Sequence, residues 1–592
     1  MTVPIENARL DALLKLAAER FGEITPAESH VLRFSAATED QSPPPSQDRP
    51  EVRATFLRWL ATDEEAAKQI DPLGLRVGDA NIPSDLNLAF CKIPFRLCFH
   101  RCAFQANFYL RSAELPVLNL YDCTAKFGIS GNGLRTQGSV LLRGLNSEGE
   151  VHFLGAQIGG DLDCSGAILA AKDDALSLDR ANITGCVFLT DSFSSSGGIR
   201  IVGTQVGGDF DCSGATLTIK TYSIAADRAD IKGNVNLKEG FSSSGEVRLL
   251  GARIGGNLDC SGAALNGKPY ALSADRASIG GTVFLRNTSA PLGDMNFSAA
   301  QIGSNLDCAR ANLSRLACEN MRLGKDLIWT DIQGPESTYL NLLESSVYTF
   351  HDDAASWPAP GNLVVKGMEY NELEQHEPST DEDRKANCLA TRHPLQARER
   401  VRWLSLQKPK DRFDPQAWVR LSNLFKDKGE ESQARRVLIG YRLRMAVAGH
   451  WLLLPVRFCL AFLSWEPLLV LLPFLLILYC GAQTYQRAWD EQLIRPTAAE
   501  AWVQKPAAPA SPRAGQFAGA YPYFNPWIYT LENELPLARF GMDDKWAADP
   551  NLIAQGKAAS YWRLAGLRWF LILAGWAQGI LLTLGINRRF HD

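Results

Sequence analysis

One phrase returns four times in this chain and limits what it can fold into: IGGDLDCSGA from Ile158, VGGDFDCSGA from Val206, IGGNLDCSGA from Ile254 and IGSNLDCARA from Ile302. Its cysteines, Cys164, Cys212, Cys260 and Cys308, lie 48 residues apart. A weaker echo falls between them (ITGCVFL from Ile183, IKGNVNL from Ile231, IGGTVFL from Ile279, LGKDLIW from Leu323), so the structural period is about 24 residues. Each unit holds two short segments of alternating apolar and polar residues, bounded by Gly-Gly or Ser-Ser-Ser-Gly, which is the pattern of strands and corners. A strand that short buries its apolar side only when successive units stack. The expected fold is mainly β: a β-solenoid over residues 73–370, preceded by an N-terminal helical cap and followed by an α-helical hairpin and two transmembrane helices.

Aligning the units places Leu162, Val187, Phe210, Val235, Leu258, Val283 and Leu306 in one inward ladder. Cys164, Leu189, Cys212, Leu237, Cys260, Leu285 and Cys308 fall in a second, where the thiols serve as small core fillers. Small and large residues also pair at corners, as in Ala156 with Ile158, Ala181 with Ile183, Ala229 with Ile231, Ala252 with Ile254, Ala277 with Ile279 and Ala311 with Leu313. That pairing resembles the pentapeptide-repeat family, with spacings of 11, 14 and 23 residues in place of a strict five. Stacking holds Cys164 and Cys212 two strand separations apart, about 9 to 10 Å, too far for a disulfide. Free thiols fit a reducing cytosol.

Residues 1–72 read as the cap and a linker, with Leu10, Leu13, Leu14, Ala17 and Phe21 on one helical face, a Pro/Ser-rich stretch at 41–50, and Val52, Phe56, Trp59 and Leu60 on a second amphipathic segment. The N-terminal helix carries too many charges for a secretory signal. From Leu75 the strand pattern begins, with segments recurring every ten or eleven residues up to about Glu150. About a dozen coils at roughly 4.8 Å make a rod on the order of 60 Å long. Residues 371–413 are charged and read as a linker. Residues 414–451 read as a helical hairpin, with Asp414 as cap, Pro415 in the first turn and Gly429 as breaker. Trp418, Leu421, Phe425, Gly429, Ala434 and Leu438 sit where a single tetratricopeptide unit would place them; one unit makes an adaptor, not a peptide groove.

Residues 458–482 contain one charge, Glu466, and Trp569–Ile586 contain none, so the spans are expected at 458–482 and 568–587. Arg435, Arg436, Arg442, Arg444 and Arg457 precede the first span, and Arg588 and Arg589 follow the second. This bias orients both termini and the solenoid to the cytoplasm of a bacterial inner membrane, with the arginine-rich helix against the anionic leaflet. The extracytoplasmic loop, 483–567, carries Tyr521, Tyr523, Phe524, Trp527 and Tyr529, the aromatic set of a membrane interface. This segment, the solenoid phrase and the DPQAW to ARRVLI hairpin together resemble a family of bacterial membrane proteins that bear the automatic label membrane-associated oxidoreductase. The resemblance spans most of the chain and implies membrane attachment; it maps no catalytic residue onto this sequence.

The text is poor in chemistry. GISGNG from Gly128 has the wrong spacing for a dinucleotide fingerprint and no helix after it. No phosphate loop, H-E-x-x-H or G-x-S-x-G occurs. Cys98, His100 and Cys102 make the one metal-like cluster, one ligand short of tetrahedral zinc, and packed thiols are the favoured reading. No catalytic, cofactor or metal residue is therefore assigned, and the net charge of -4 argues against a general nucleic-acid binder. Asp161, Asp163, Asp209, Asp211, Asp259 and Asp307 are expected as an outward acidic stripe, interrupted by Phe188 and Phe284. Asp179-Arg180, Asp227-Arg228 and Asp275-Arg276 form a second ladder. Solubility and edge protection are the favoured roles, with a cation or partner-docking stripe as the alternative. The first functional reading is a non-enzymatic, membrane-anchored scaffold whose partners are the bilayer and a protein on the solenoid surface, with homo-oligomerisation open. An oligomeric channel gated by the solenoid and the oxidoreductase of the family label are the rivals.

Overall fold

The computed structural model describes residues 5–38, 49–288, 292–377, 391–408, 414–447, 471–498, 521–535 and 537–591. The chain divides into two compact units, Met1–Glu430 and Glu431–Asp592.

The first unit is a β-solenoid. A representative turn runs through four two-residue strands, Ile129–Ser130, Arg135–Thr136, Val140–Leu141 and Asn146–Ser147. Each pairs in parallel with its counterpart one turn on, which builds three continuous sheets of 25, 13 and 9 strands along the rod. The second sheet collects about one strand per turn, so the stack runs to about 13 turns, in line with the dozen expected. The first ladder is in register: Leu162 pairs with Val187, then Phe210, Val235, Leu258, Val283 and Leu306 follow. All seven are fully buried, and each contributes about 1.5 to 3 kcal/mol of apolar transfer. The cysteine and leucine ladder is equally buried. Desolvation pushes the thiols of Cys164, Cys212, Cys260 and Cys308 well up, so they stay protonated and unreactive.

The Gly-Gly corners have a steric cause. A Cβ on Gly207 would stand 2.1 Å from the Thr184 carbonyl oxygen of the preceding turn, so only glycine lets the coils stack this closely. A second corner needs a left-handed residue, and there Gly155, Gly203 and Gly251 alternate with Arg180, Arg228 and Arg276, whose φ lies between 56° and 58°. Each arginine in that conformation costs on the order of 1 kcal/mol, which the regular inter-turn hydrogen bonds of the stack sustain.

Four helices close the N-terminal end: α1 (Ile5–Phe21), α2 (Pro26–Ala36), α3 (Ala54–Thr62) and α4 (Glu64–Gln69). The first strand is Leu75–Gly78. Helix α2 lies outside the expected pair; its signal is Thr25-Pro26-Ala27-Glu28, where Thr25 and Glu28 cap each other's backbone. Glu28 is fully buried and forks onto Arg53 at 2.6 and 2.7 Å, tying α2 to the start of α3. The open strand edge meets this cap through Val52 N–H on the Asn81 carbonyl.

The C-terminal end corrects the linker assigned to 371–413. Strand Glu369–His376 continues into it, strand Arg392–His393 pairs antiparallel with its end, and α5 (Ala397–Leu404) covers the last turns. The polar look of ARERVRWL misleads because Arg400 is fully buried against Asp352. Residues 378–390 and 409–413 of that stretch lie outside the described residues. Helix α6 (Pro415–Asp427) follows, with Asp414 accepting from Gln416 N–H at 3.0 Å as its cap and Arg420 donating to the Tyr370 carbonyl at 3.1 Å. Gly429 takes φ 75° just past the helix end.

The second unit begins with α7 (Glu431–Val447), then α8 (Leu471–Asp490), α9 (Pro526–Glu534) and α10 (Ala558–His591). Residues 458–470 of the first expected span lie outside the described residues; 471–482 are helical within α8. Among the described residues one helix is long and apolar enough to cross a membrane, Ala558–Thr583, with mean hydropathy 1.4 and 11% of that window buried. One candidate therefore stands where two spans were expected. It starts before Trp569 because Arg568, which looked like a boundary, lies inside the helix and pairs with Asp543 at 3.0 Å.

Candidate functional site

The acidic stripe resolves into two columns. In the first, each side chain accepts the N–H of a residue one turn further on: Asp161 from Cys186 at 2.8 Å, Asp209 from Asn234 at 2.6 Å, Asn234 from Asn257 at 2.8 Å and Asn257 from Thr282 at 2.7 Å. These oxygens satisfy corner amides that the sheets leave unpaired. In the second, Asp163 pairs in register with Phe188, Phe188 with Asp211, Asp259 with Phe284 and Phe284 with Asp307, as the alignment required. Asp163, Asp211, Asp259 and Asp307 each accept the N–H two residues ahead at 2.9 to 3.0 Å, the Asx turn that shapes the corner. Arg143 reaches Asp163 at 2.5 Å and Arg286 reaches Asp307 at 3.3 Å. Burial raises the Asp307 carboxyl above its ordinary range. Asp163 and Asp307 are themselves buried, so the two columns spend much of their carboxylate capacity inside the fold.

The Asp-Arg ladder is cross-paired. Asp179 takes Arg200 at 2.6 Å and Asp227 takes Arg248, both from strands one turn on. Where that position is Asn296, Asp275 is left with its neighbour Arg276 at 3.7 Å. The sequence reading missed Arg200 and Arg248 because it compared neighbours along the chain, not across turns.

Cys98, His100 and Cys102 do not converge. Cys98 and His100 occupy the partly exposed positions of strand Leu97–His100, while Cys102 is buried and contacts the Val77 and His100 carbonyls at 3.5 Å. Burial lowers the His100 imidazole below its usual range.

A different cluster closes the far end of the rod. Strand Ser346–Asp353 pairs with Glu369–His376 so that His351 faces Glu374 directly, and His376 follows two residues later on the same side. His351 Nδ1 lies 3.1 Å from His376 Nε2 and 3.2 Å from Glu374 Oε2, which is 3.9 Å from His376 Nε2. These are the donor types that hold a transition metal. Burial lowers the His351 imidazole below its usual range, against the nearby carboxylates of Glu374 and Asp326. Arg392 holds the other oxygen, Oε1, at 2.9 Å. The sequence signal was H-D-D from His351 and E-Q-H from Glu374, two short phrases 23 residues apart with no motif to join them.

In the second unit Arg435 and Arg436 are exposed on α7, and Arg442 and Arg444 are half-buried. Arg435 pairs with Glu431 at 3.3 Å and Arg444 donates to the Gly440 carbonyl at 3.0 Å. Arg457 lies outside the described residues. The five aromatics split. Phe524 and Tyr529 are buried, Tyr521 is half-buried, and Tyr523 and Trp527 are exposed. Phe524 stacks on Trp489 at 5.2 Å and Tyr529 meets Tyr485 edge-on at 4.8 Å, so this loop has its own small core around Trp546. Glu532 accepts four backbone N–H groups, from Phe540 to Asp543, at 2.7 to 3.1 Å, fixing the segment that presents Asp543 to Arg568. Those bonds outweigh burial and lower its carboxyl. Next to it, α8 exposes Leu472, Leu475 and Leu476, and α10 exposes Trp562, Trp569, Phe570 and Leu573, each more than half bare to solvent.

Comparison with protein-family models, curated proteins and solved structures finds no match to this chain.

Proposed function

We propose that this chain is a membrane-anchored scaffold, a solenoid whose regular outer surface docks a protein partner while the second unit holds it to the bilayer. The observation that carries the reading is the apolar band on α8 and α10. Soluble domains scatter exposed leucines and tryptophans singly; a band this dense on two packed helices needs lipid or protein over it. Tyr561 and Trp562 at the start of α10, and Tyr523 and Trp527 in the loop, have the composition of an interfacial belt.

The two-span arrangement, with the first span running from 458 into α8 and the solenoid on the cytoplasmic side, rests on the arginine bias and on the free thiols of the rod. The resemblance to the family labelled membrane-associated oxidoreductase agrees with the attachment and adds no catalytic residue. A photo-crosslinking residue in place of Phe188, half-exposed on the outer column, tests the scaffold in cells. The proposal expects one discrete protein adduct in the membrane fraction. No adduct there, and none from Tyr348 or Ile168, overturns docking by this surface.

A further inference from the structure

We propose that the last turns of the solenoid bind a divalent transition metal, zinc by preference, through His351 Nδ1, Glu374 Oε2 and His376 Nε2. Donors at about 2.0 to 2.1 Å from a tetrahedral zinc stand about 3.3 Å apart. The three separations here, 3.1, 3.2 and 3.9 Å, bracket that value before any ion draws the side chains in.

The arrangement makes poor sense as a hydrogen-bonded core. One imidazole N–H between His351 and His376 serves a single acceptor, and Glu374 Oε2 is left with no hydrogen-bond partner among the described residues. The Glu374 side chain is only 10% exposed, and a buried acceptor without a partner costs about 1 to 3 kcal/mol, more when charged. An ion uses all three lone pairs at once. The surroundings fit the same role. Arg392 anchors Oε1 and so turns Oε2 toward the histidines. Asp326 Oδ1 stands 3.8 Å from His351 Nε2, on the side where a metal-bound histidine commonly has an outer carboxylate. The ligands come from two consecutive turns, so the metal staples strand Glu369–His376, the last parallel strand of the rod, to strand Ser346–Asp353. Two histidines and one carboxylate leave a fourth position for water. The inference stands apart from membrane attachment and partner docking.

The test uses purified full-length protein in detergent, stripped with a chelator and titrated with Zn2+ by calorimetry, then with Co2+ by visible absorption. The expected result is one Zn2+ per chain and a Co2+ ligand-field band. Glu374→Gln, which keeps the side chain's shape, and His376→Ala should each weaken binding at least 100-fold and abolish the band. Cys98→Ser with His100→Gln should leave both unchanged. Equal binding by wild type and Glu374→Gln, or no stoichiometric binding by a wild-type chain whose circular dichroism shows it folded, overturns the proposal.

Discussion

Arg400 forks onto Asp352, Nη1 to Oδ2 at 2.7 Å and Nη2 to Oδ1 at 2.6 Å, with neither side chain exposed. Trp357 adds its indole N–H to Asp352 Oδ2 at 2.9 Å, and the guanidinium lies against the Trp403 ring. This pair bolts α5 to strand Ser346–Asp353 and so closes the end of the rod. Breaking a buried pair from one side strands the other charge, at about 3 to 5 kcal/mol. Asp352→Asn and Arg400→Met should each lower the thermal midpoint by roughly 5 to 10 °C. The double variant Asp352→Leu, Arg400→Met should recover most of that loss, and a double-mutant cycle on circular-dichroism melts measures it.

Stacking at van der Waals distance makes the corners intolerant of one methyl group. Gly207→Ala puts a Cβ 2.1 Å from backbone and should destabilise the solenoid by at least 1 to 3 kcal/mol. Gly566→Ala, in α10 with nothing within 4 Å of its Cβ, should be neutral or stabilising by up to about 1 kcal/mol. A loss of stability at Gly207 with none at Gly566, read by melting temperature and protease resistance, checks the stacking geometry.

Glu534 sits at the end of α9, fully buried, with neither carboxylate oxygen hydrogen-bonded among the described residues. Its backbone touches α10 where Gly575 has no side chain; a Cβ there would lie 1.7 Å from the Glu534 carbonyl oxygen. Burial pushes its carboxyl up to about 7. The folded form thus holds a proton that the unfolded chain releases above about pH 4.5. This contribution is fully present below pH 4.5, falls as pH rises and levels off above 7. Glu534→Gln should flatten that decline and raise the melting temperature more at pH 8 than at pH 5. A wild-type profile flat from pH 5 to 8 contradicts this.

The rod was legible in the sequence because stacking turns a period along the chain into a column in space, so that Leu162, Val187 and Phe210 align once the phrase is seen. Polar residues at the same spacing were legible in position but not in partnership. Asp161 bonds to an amide 25 residues on, and Asp179 to an arginine 21 residues on, at distances that sequence reading ranks as remote. The two ends were harder still, because caps break the period. Arg400 reads as solvent-facing until Asp352 is found beneath it, and His351, Glu374 and His376 meet only through the register of the last two long strands. In the second unit, Phe524 and Tyr529 read as interfacial aromatics because aromatic composition alone does not separate a lipid-facing ring from one packed on Trp489 or Tyr485.

Alkaline carbonate extraction of membranes from cells expressing the full chain tests the anchor most directly. The apolar faces of α8 and α10 predict that the protein stays in the pellet after washing and is released by detergent alone. Quantitative release of folded protein into the carbonate supernatant would contradict the account, because faces that bare Leu472, Leu476, Trp569 and Leu573 would then lack the lipid they are argued to meet.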